Sequence, residues 1–188
     1  MKWTDPSVCA ACAGQGPTCC ELAPGQEESC FPLSRVEMDR IREFVNGQGW
    51  FALEANSAAF VANVCRLFPA DKRRARQLFA RGGEHYRLAV DASGACKLLG
   101  ETGCVLPAEA RPYYCRLFPL WMDGDKLRVL EAHCLARRRA RGPEELLRQV
   151  GLTAKTVHDL HCRLRLAWGF SPCAGEDLTD PILSRNPK

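Results

Sequence analysis

The residues whose type and spacing could do chemistry are cysteines. Cys9 and Cys12 form a C-x2-C knuckle, and six residues separate Cys12 from the adjacent pair Cys19-Cys20. A knuckle of this kind puts two sulfurs on one side of a tight turn, a recurring half-site for zinc or an iron–sulfur cluster. Cys96, Cys104 and Cys115 follow within twenty residues of one another, set among Gly, Pro and turn-forming residues, and Cys134 makes an eighth. Turns can aim sulfurs from several directions at one point, which tetrahedral coordination requires. Eight thiolates suffice for two four-sulfur sites; seven with one spectator would suit a single site or a binuclear site with shared ligands. Both arrangements stay open, and thiolate donors suit zinc and iron–sulfur clusters alike.

The pentapeptide CRLFP occurs at Cys65–Pro69 and again at Cys115–Pro119, in unlike surroundings. Cys65 falls on the apolar face of a helical pattern beside Val61 and Phe68, with no other cysteine within thirty residues. It reads as core, since an isolated cysteine on such a face behaves as a small hydrophobe. Cys115 is bracketed by Pro112 and Pro119, which keep its segment out of long regular structure. One copy is packing and the other belongs to a site. Four thiolates around a divalent ion leave two net negative charges. Arg111 and Arg116, flanking Cys115, are placed to donate hydrogen bonds to sulfur and offset them.

Cys-x2-Cys, then Cys-Cys, then Cys…GlyCys…ArgPro-x2-CysArg-x-x-Pro resembles the zinc- or iron-chelating domain family with the CxxCxxxxCC signature, the YkgJ-like cysteine-cluster proteins. The matching residues are Cys9, Cys12, Cys19, Cys20, Cys96, Gly103, Cys104, Arg111, Pro112, Cys115, Arg116 and Pro119. The resemblance spans roughly residues 9–134, and the spacing from Cys12 to Cys19 is longer than the signature's. It implies metal binding, zinc or iron, and no defined reaction. Longer members are associated with flagellin lysine methylation; this chain has no glycine-rich nucleotide-binding loop on which that activity would rest.

Other candidate ligands have weaker partners. Cys30 has none at knuckle spacing and reads as a spectator. His158, His161 and Cys162 share one turn of a helix, a face that can hold zinc. His133 beside Cys134 is an alternative ligand. His85 shows no partner, and Cys173 reads as an unlinked thiol in a tail. Tyr113 and Tyr114 read as packing for the loop of Cys115.

Composition narrows the class. Twelve cysteines in 188 residues are about 6%, below the density of small disulfide scaffolds, in a chain long enough to bury a core without cross-links. The N-terminus lacks the apolar run of a signal peptide, and the best membrane candidate, WFALEANSAAFVANVCRLF, is broken by polar residues. These features point to the cytoplasm, where thiols stay reduced and clustered cysteines favour metal or redox chemistry over structural disulfides. The expected partner is a metal ion; no membrane is expected, and no protein partner is indicated. Net charge is +4, with basic runs at 72–76 and 137–141 that read as solvated helix faces. A nucleic-acid-binding module with structural zinc is the alternative these runs suggest, against which acidic residues nearly balance the charge. A redox or group-transfer enzyme using an iron centre is the other; no catalytic residues are identified.

The positioning elements predict a helix-rich α+β domain over 1–170 and a tail over 171–188. Residues 1–32 carry no helical or strand period and are expected as coil tied down by its cysteines. Ser34 and Glu37 have capping-box spacing ahead of Ile41, Phe44 and Val45, with Asn46-Gly47 ending the helix. A second helix is expected from about Asn56 to Phe68, and a third after Asp71 up to Gly82-Gly83. Residues 86–90 and 96–99 read as strands around a turn at 91–94, and 120–122 with 127–130 as a hairpin around Asp123-Gly124-Asp125. Pro143 and Thr153 mark the starts of the last two helices.

Overall fold

The computed structural model describes residues 7–23, 26, 29–131, 133–171 and 173. Mixed helices and short antiparallel hairpins make up the described chain, in keeping with the α+β expectation. Most of the tail expected over 171–188 lies outside these residues.

The N-terminal segment departs from the coil expected of it. Ser7–Ala13 is a helix, α1, whose Val8 is buried in the main core. Its alanines favour a helix, and docking of one apolar residue holds a segment too short to stand alone. Cys9 and Cys12, three apart, therefore share a helical face rather than a loop knuckle.

The capping box is realised in full. Ser34 accepts from the Glu37 amide while the Glu37 carboxylate accepts from the Ser34 amide, starting α2 (Arg35–Arg42). This helix ends earlier than Asn46-Gly47, so Ile41 is buried but Phe44 is left exposed. Glu37 is itself buried, and its second oxygen accepts from the Tyr113 amide at 2.8 Å.

Phe51–Ala55 forms β1, which pairs antiparallel with β2 (Glu84–Leu88) in the register Phe51 to Leu88. The sequence suggested a return strand at 96–99 instead. Of that pairing one bridge remains, Val90 with Cys96, around the turn at 91–94. Between β1 and β2 lie α3 (Ala58–Leu67) and α4 (Lys72–Leu78). Asp71 precedes α4 but makes no side-chain cap; its carboxylate pairs with Arg165 at 2.9 Å. Asn56 and His85 join the ends of this unit: His85 Nδ1 lies 2.8 Å from Asn56 Oδ1, and its ring stacks on Phe60 at 3.7 Å. His85 thus has partners that the sequence did not reveal.

A two-residue pair of strands follows, β3 (Leu99–Gly100) with β4 (Gly103–Cys104), then a 3-10 turn at Ala108–Ala110 and the short helix α5 (Tyr113–Leu117). The hairpin expected around Gly124 is present as β5 (Leu120–Asp123) and β6 (Lys126–Val129). Three helices complete the fold: α6 (Leu135–Arg139), α7 (Pro143–Gln149) and α8 (Ala154–Ala167). Thr153 caps α8, and Val157, Leu160, Leu164 and Trp168 are buried along one face of it.

Two apolar clusters result. The larger joins α3, α5, β5 and α8, with Leu117 and Leu120 fully enclosed. Each such leucine contributes about 1.5–3 kcal/mol through burial. The smaller contains Ile41, Leu98, Leu106 and Ala110. Cys9, Cys12 and Cys134 pack against the first cluster, Cys96 and Cys104 against the second.

Candidate metal centre

Four segments bring cysteines together, and each is held by contacts that can be traced. Residues 20–22 run beside 94–96 through an isolated antiparallel bridge between Glu21 and Ala95. The Leu22 amide donates to the Gly94 carbonyl at 2.9 Å, and the Cys96 amide donates to the Cys20 carbonyl at 2.8 Å. Asp91 shapes the opposing turn, accepting from the Ser93 hydroxyl and from the Ser93 and Ala95 amides. Gly94 has φ +88°, and a Cβ there would meet the Leu22 carbonyl oxygen at 2.0 Å. Only glycine permits this approach. Thr18 prepares the same segment: its hydroxyl accepts from the Cys20 amide at 3.1 Å, and its own amide donates to Glu21.

Cys104 and Cys115 are braced by two arginines and a glutamate. Arg111 donates through Nε and Nη2 to the Leu106 carbonyl at 3.0 and 2.9 Å, and through Nη2 to the Cys104 carbonyl at 3.5 Å. Arg40 of α2 donates to the Arg111 carbonyl at 3.1 Å and lies over the Tyr113 ring at 4.7 Å. With the Glu37 bond to the Tyr113 amide, α2 fixes the start of α5 and therefore the placement of Cys115. Arg116 also lies over the Tyr113 ring, at 5.9 Å, its guanidinium partly desolvated by burial, which lowers its pKa. Helix α1 packs on β4 and on α6, so Cys9 and Cys12 lie between the segments of Cys104 and Cys134.

The thiols act on one another. Burial drives the Cys115 thiol well above its ordinary value, with further upward push from Cys20, Cys96, Cys104 and Glu37. Burial likewise pushes Cys96 up to about 12, with Cys20, Cys104 and Cys30 adding to it. Cys19 is raised chiefly by its hydrogen bond with Cys20, then by burial and by the charges of Cys115 and Cys134. Cys20, Cys96, Cys104 and Cys115 are thus near enough for their charges to act on one another, with Cys19 and Cys134 in range. Cys115 keeps accessible surface although protein desolvates its sulfur, and Cys19 does the same. Thiols held this far from ionisation keep their protons unless a cation replaces them.

Comparison with protein-family models, with curated proteins and with solved structures finds no match.

The remaining candidates separate. Cys65 is buried on α3 and its thiol is directed at the Lys72 carbonyl, the packing role its sequence setting suggested. Cys30 is half-buried and near enough to act on Cys96 and Tyr114, closer to the group than a spectator was expected to be. His133 is exposed. Tyr114 stacks on Phe31 at 4.1 Å, and Tyr113 is buried.

On α8 the outcome differs from the expected His158, His161 and Cys162 face. His161 turns inward, edge-on to Trp121 at 4.7 Å and stacked on Phe68. Cys173, expected as an unlinked thiol, is joined to Cys162 in a disulfide. It arrives there because the chain reverses after α8, which local sequence does not signal. His158, Cys162 and Cys173 have ligand atoms all within 4.8 Å of one another, a cluster capable of coordinating a metal ion. Metal-type side chains are thus not confined to the cysteine-only set. The other ten cysteines are thiols.

Among the described residues, no helix is long and apolar enough to cross a membrane.

Proposed function

We propose that this chain is a metal-binding protein whose principal centre is held by cysteine thiolates in a recess formed by the N-terminal segment and residues 96–134. Cys20, Cys96, Cys104 and Cys115 supply one four-sulfur set; Cys9, Cys12, Cys19 and Cys134 supply the second. The observation that carries the reading is the backbone bond that sets Cys20 beside Cys96, with Cys104 and Cys115 near enough for the charges of these thiols to act on one another. Nothing in packing alone requires these thiols to lie near one another, because burying them together gains little that alanines would not.

The donor set suits zinc or iron, including an iron–sulfur cluster. The motif resemblance to the zinc- or iron-chelating family points the same way, through the same residues. Arg111 is cast in a different part from the one first assigned to it: it holds the Cys104 carbonyl, and so orients a ligand through the backbone. The group's role when bound is to draw the N-terminal segment, β4 and α5 together, since residues 14–23 bury little apolar surface of their own.

The deciding experiment is elemental analysis with a visible spectrum on protein purified without oxygen. One or two zinc per chain, or iron with acid-labile sulfide, is the expected result. Metal-free protein that retains its fold and resists proteolysis between residues 14 and 23 would overturn the reading.

A further inference from the structure

We propose that His158, Cys162 and Cys173 form a separate metal site, closed by their disulfide and opened by a thiol reductant. It shares no residue with the thiolate recess and stands or falls apart from it.

His158 and Cys162 are four apart on α8 and therefore on one face. Both ring nitrogens of His158 lie 3.8 Å from the Cys162 sulfur. Two ligands on one tetrahedral zinc, at ordinary Zn–N and Zn–S lengths, stand roughly 3.6 Å apart. The imidazole is thus already near ligand spacing. His158 is partly open to solvent, which gives a metal its route in, whereas Cys162 is fully buried.

Asp159 supplies a second observation. Its Oδ1 is buried without a hydrogen-bond partner and lies 3.8 Å from His158 Nδ1. A metal-binding histidine characteristically donates its other N–H to a carboxylate. With Nε2 on the metal, Nδ1–H needs an acceptor, and a side-chain rotation that shortens the 3.8 Å gap would let the orphaned oxygen supply it.

Cys173 is delivered by contacts that do not depend on the disulfide. Gly169 reverses the chain at φ +85°, Phe170 is buried against Phe68 at 4.2 Å, and Arg165 donates to the Ser171 carbonyl at 2.9 Å. Arg74 donates to the Gly169 carbonyl at 3.1 Å. After reduction Cys173 stays beside Cys162, so the same pair can re-form its bond or take a metal.

The chemistry balances with a dithiol reductant. Its thiolate attacks one sulfur, the Cys162–Cys173 bond breaks, and the reductant leaves as its own disulfide, having given two electrons and two protons. Zn2+ then displaces both thiol protons to solvent. Two thiolates and a neutral imidazole around Zn2+ leave no net charge, which suits a half-buried position better than a charged site would. Water fills the fourth place.

The test counts zinc on full-length protein reduced with a phosphine. Wild type should bind one equivalent more than Cys173→Ser or His158→Gln, and Cys115→Ser should retain that equivalent. Both α8-site substitutions lie at partly exposed positions and spare the core. In a second measurement, saturating zinc should slow Cys162–Cys173 linkage by a mild oxidant at least about ten-fold, read by peptide mass. Equal zinc in wild type and Cys173→Ser overturns the site while leaving the thiolate recess untouched. Linkage at the same rate with and without zinc overturns the gating. Loss of zinc in Cys115→Ser alone supports the recess and counts against this site.

Discussion

The Cys96 amide donates to the Cys20 carbonyl at 2.8 Å, so a segment without strand periodicity is laid against the turn at 91–94 by one bridge. That bond fixes the backbones of two cysteines 76 positions apart, the difference of their numbers. The vicinal pair lies in a turn just before the bridge, closed by the Glu21 amide on the Thr18 carbonyl, with the two thiols hydrogen-bonded to each other. Cys20 acts on Cys96 and Cys115, and Cys19 feels Cys115 and Cys134.

Gly94→Ala should undo this docking. The added methyl meets the Leu22 carbonyl oxygen at 2.0 Å, and the residue must also hold φ +88°. The strained backbone alone costs about 1–3 kcal/mol, and the segment at 20–22 can avoid the clash by leaving. Expected are a lower urea midpoint and faster proteolysis within residues 14–23. A variant with wild-type cleavage there would show that the segment is held by something else.

The two CRLFP cysteines should respond in opposite ways. Cys115→Ser is expected to lower metal content per chain with little change in helix content. Cys65→Ser places a hydroxyl in the packed face of α3 and should cost about 1–3 kcal/mol while metal content stays at the wild-type level. Metal analysis beside urea denaturation separates these outcomes. Equal metal loss in both variants would make Cys65 part of the site.

How much of this was legible in the sequence depends on how local the cause is. The Ser34–Glu37 capping box, the hairpin around Gly124 and the buried face of α8 rest on residues within one element, and their patterns state them. The pairing of β1 with β2 rests on contacts between residues 51–55 and 84–88, across two intervening helices, and the weak alternation at 86–90 named no partner. Cys162–Cys173 is similar: a buried cysteine on a helix looks inert until Gly169 and Phe170 turn the chain back. At the recess, turn-rich spacing singled out Cys96, Cys104 and Cys115. That Cys20 lies beside Cys96 comes from a backbone bond between segments 76 positions apart, which the sequence does not signal.

His85 makes stability depend on pH in a direction that can be stated. Burial holds its pKa below the usual imidazole value, Glu54 opposing this and Arg87 adding to it. Nδ1 meets Asn56 Oδ1, and Nε2 is buried with no acceptor among the described residues. In the unfolded chain the ring takes a proton near pH 6.5, before the folded ring does. Its contribution is therefore complete above about pH 6.5 and is lost as pH falls from there toward the folded value. Thermal midpoints between pH 8 and pH 5 should drop less for His85→Phe than for wild type. Parallel curves would remove His85 as a source of acid sensitivity.

Arg111→Lys tests whether the arginine orients a ligand or merely adds positive charge. The planar guanidinium reaches the Leu106 carbonyl through two nitrogens and the Cys104 carbonyl through one of them, a geometry an ammonium cannot reproduce. If general attraction to a negative metal–thiolate group were the role, lysine would serve nearly as well. If positioning of Cys104 is the role, metal affinity should fall by roughly 10–100-fold, the range found for groups that orient ligands. Charge should then matter less than shape, so Arg111→Lys and Arg111→Gln should fall together. Competition against a chelator of known affinity gives both numbers. A lysine variant that holds metal as wild type does, beside a glutamine variant that loses it, would assign Arg111 to charge compensation.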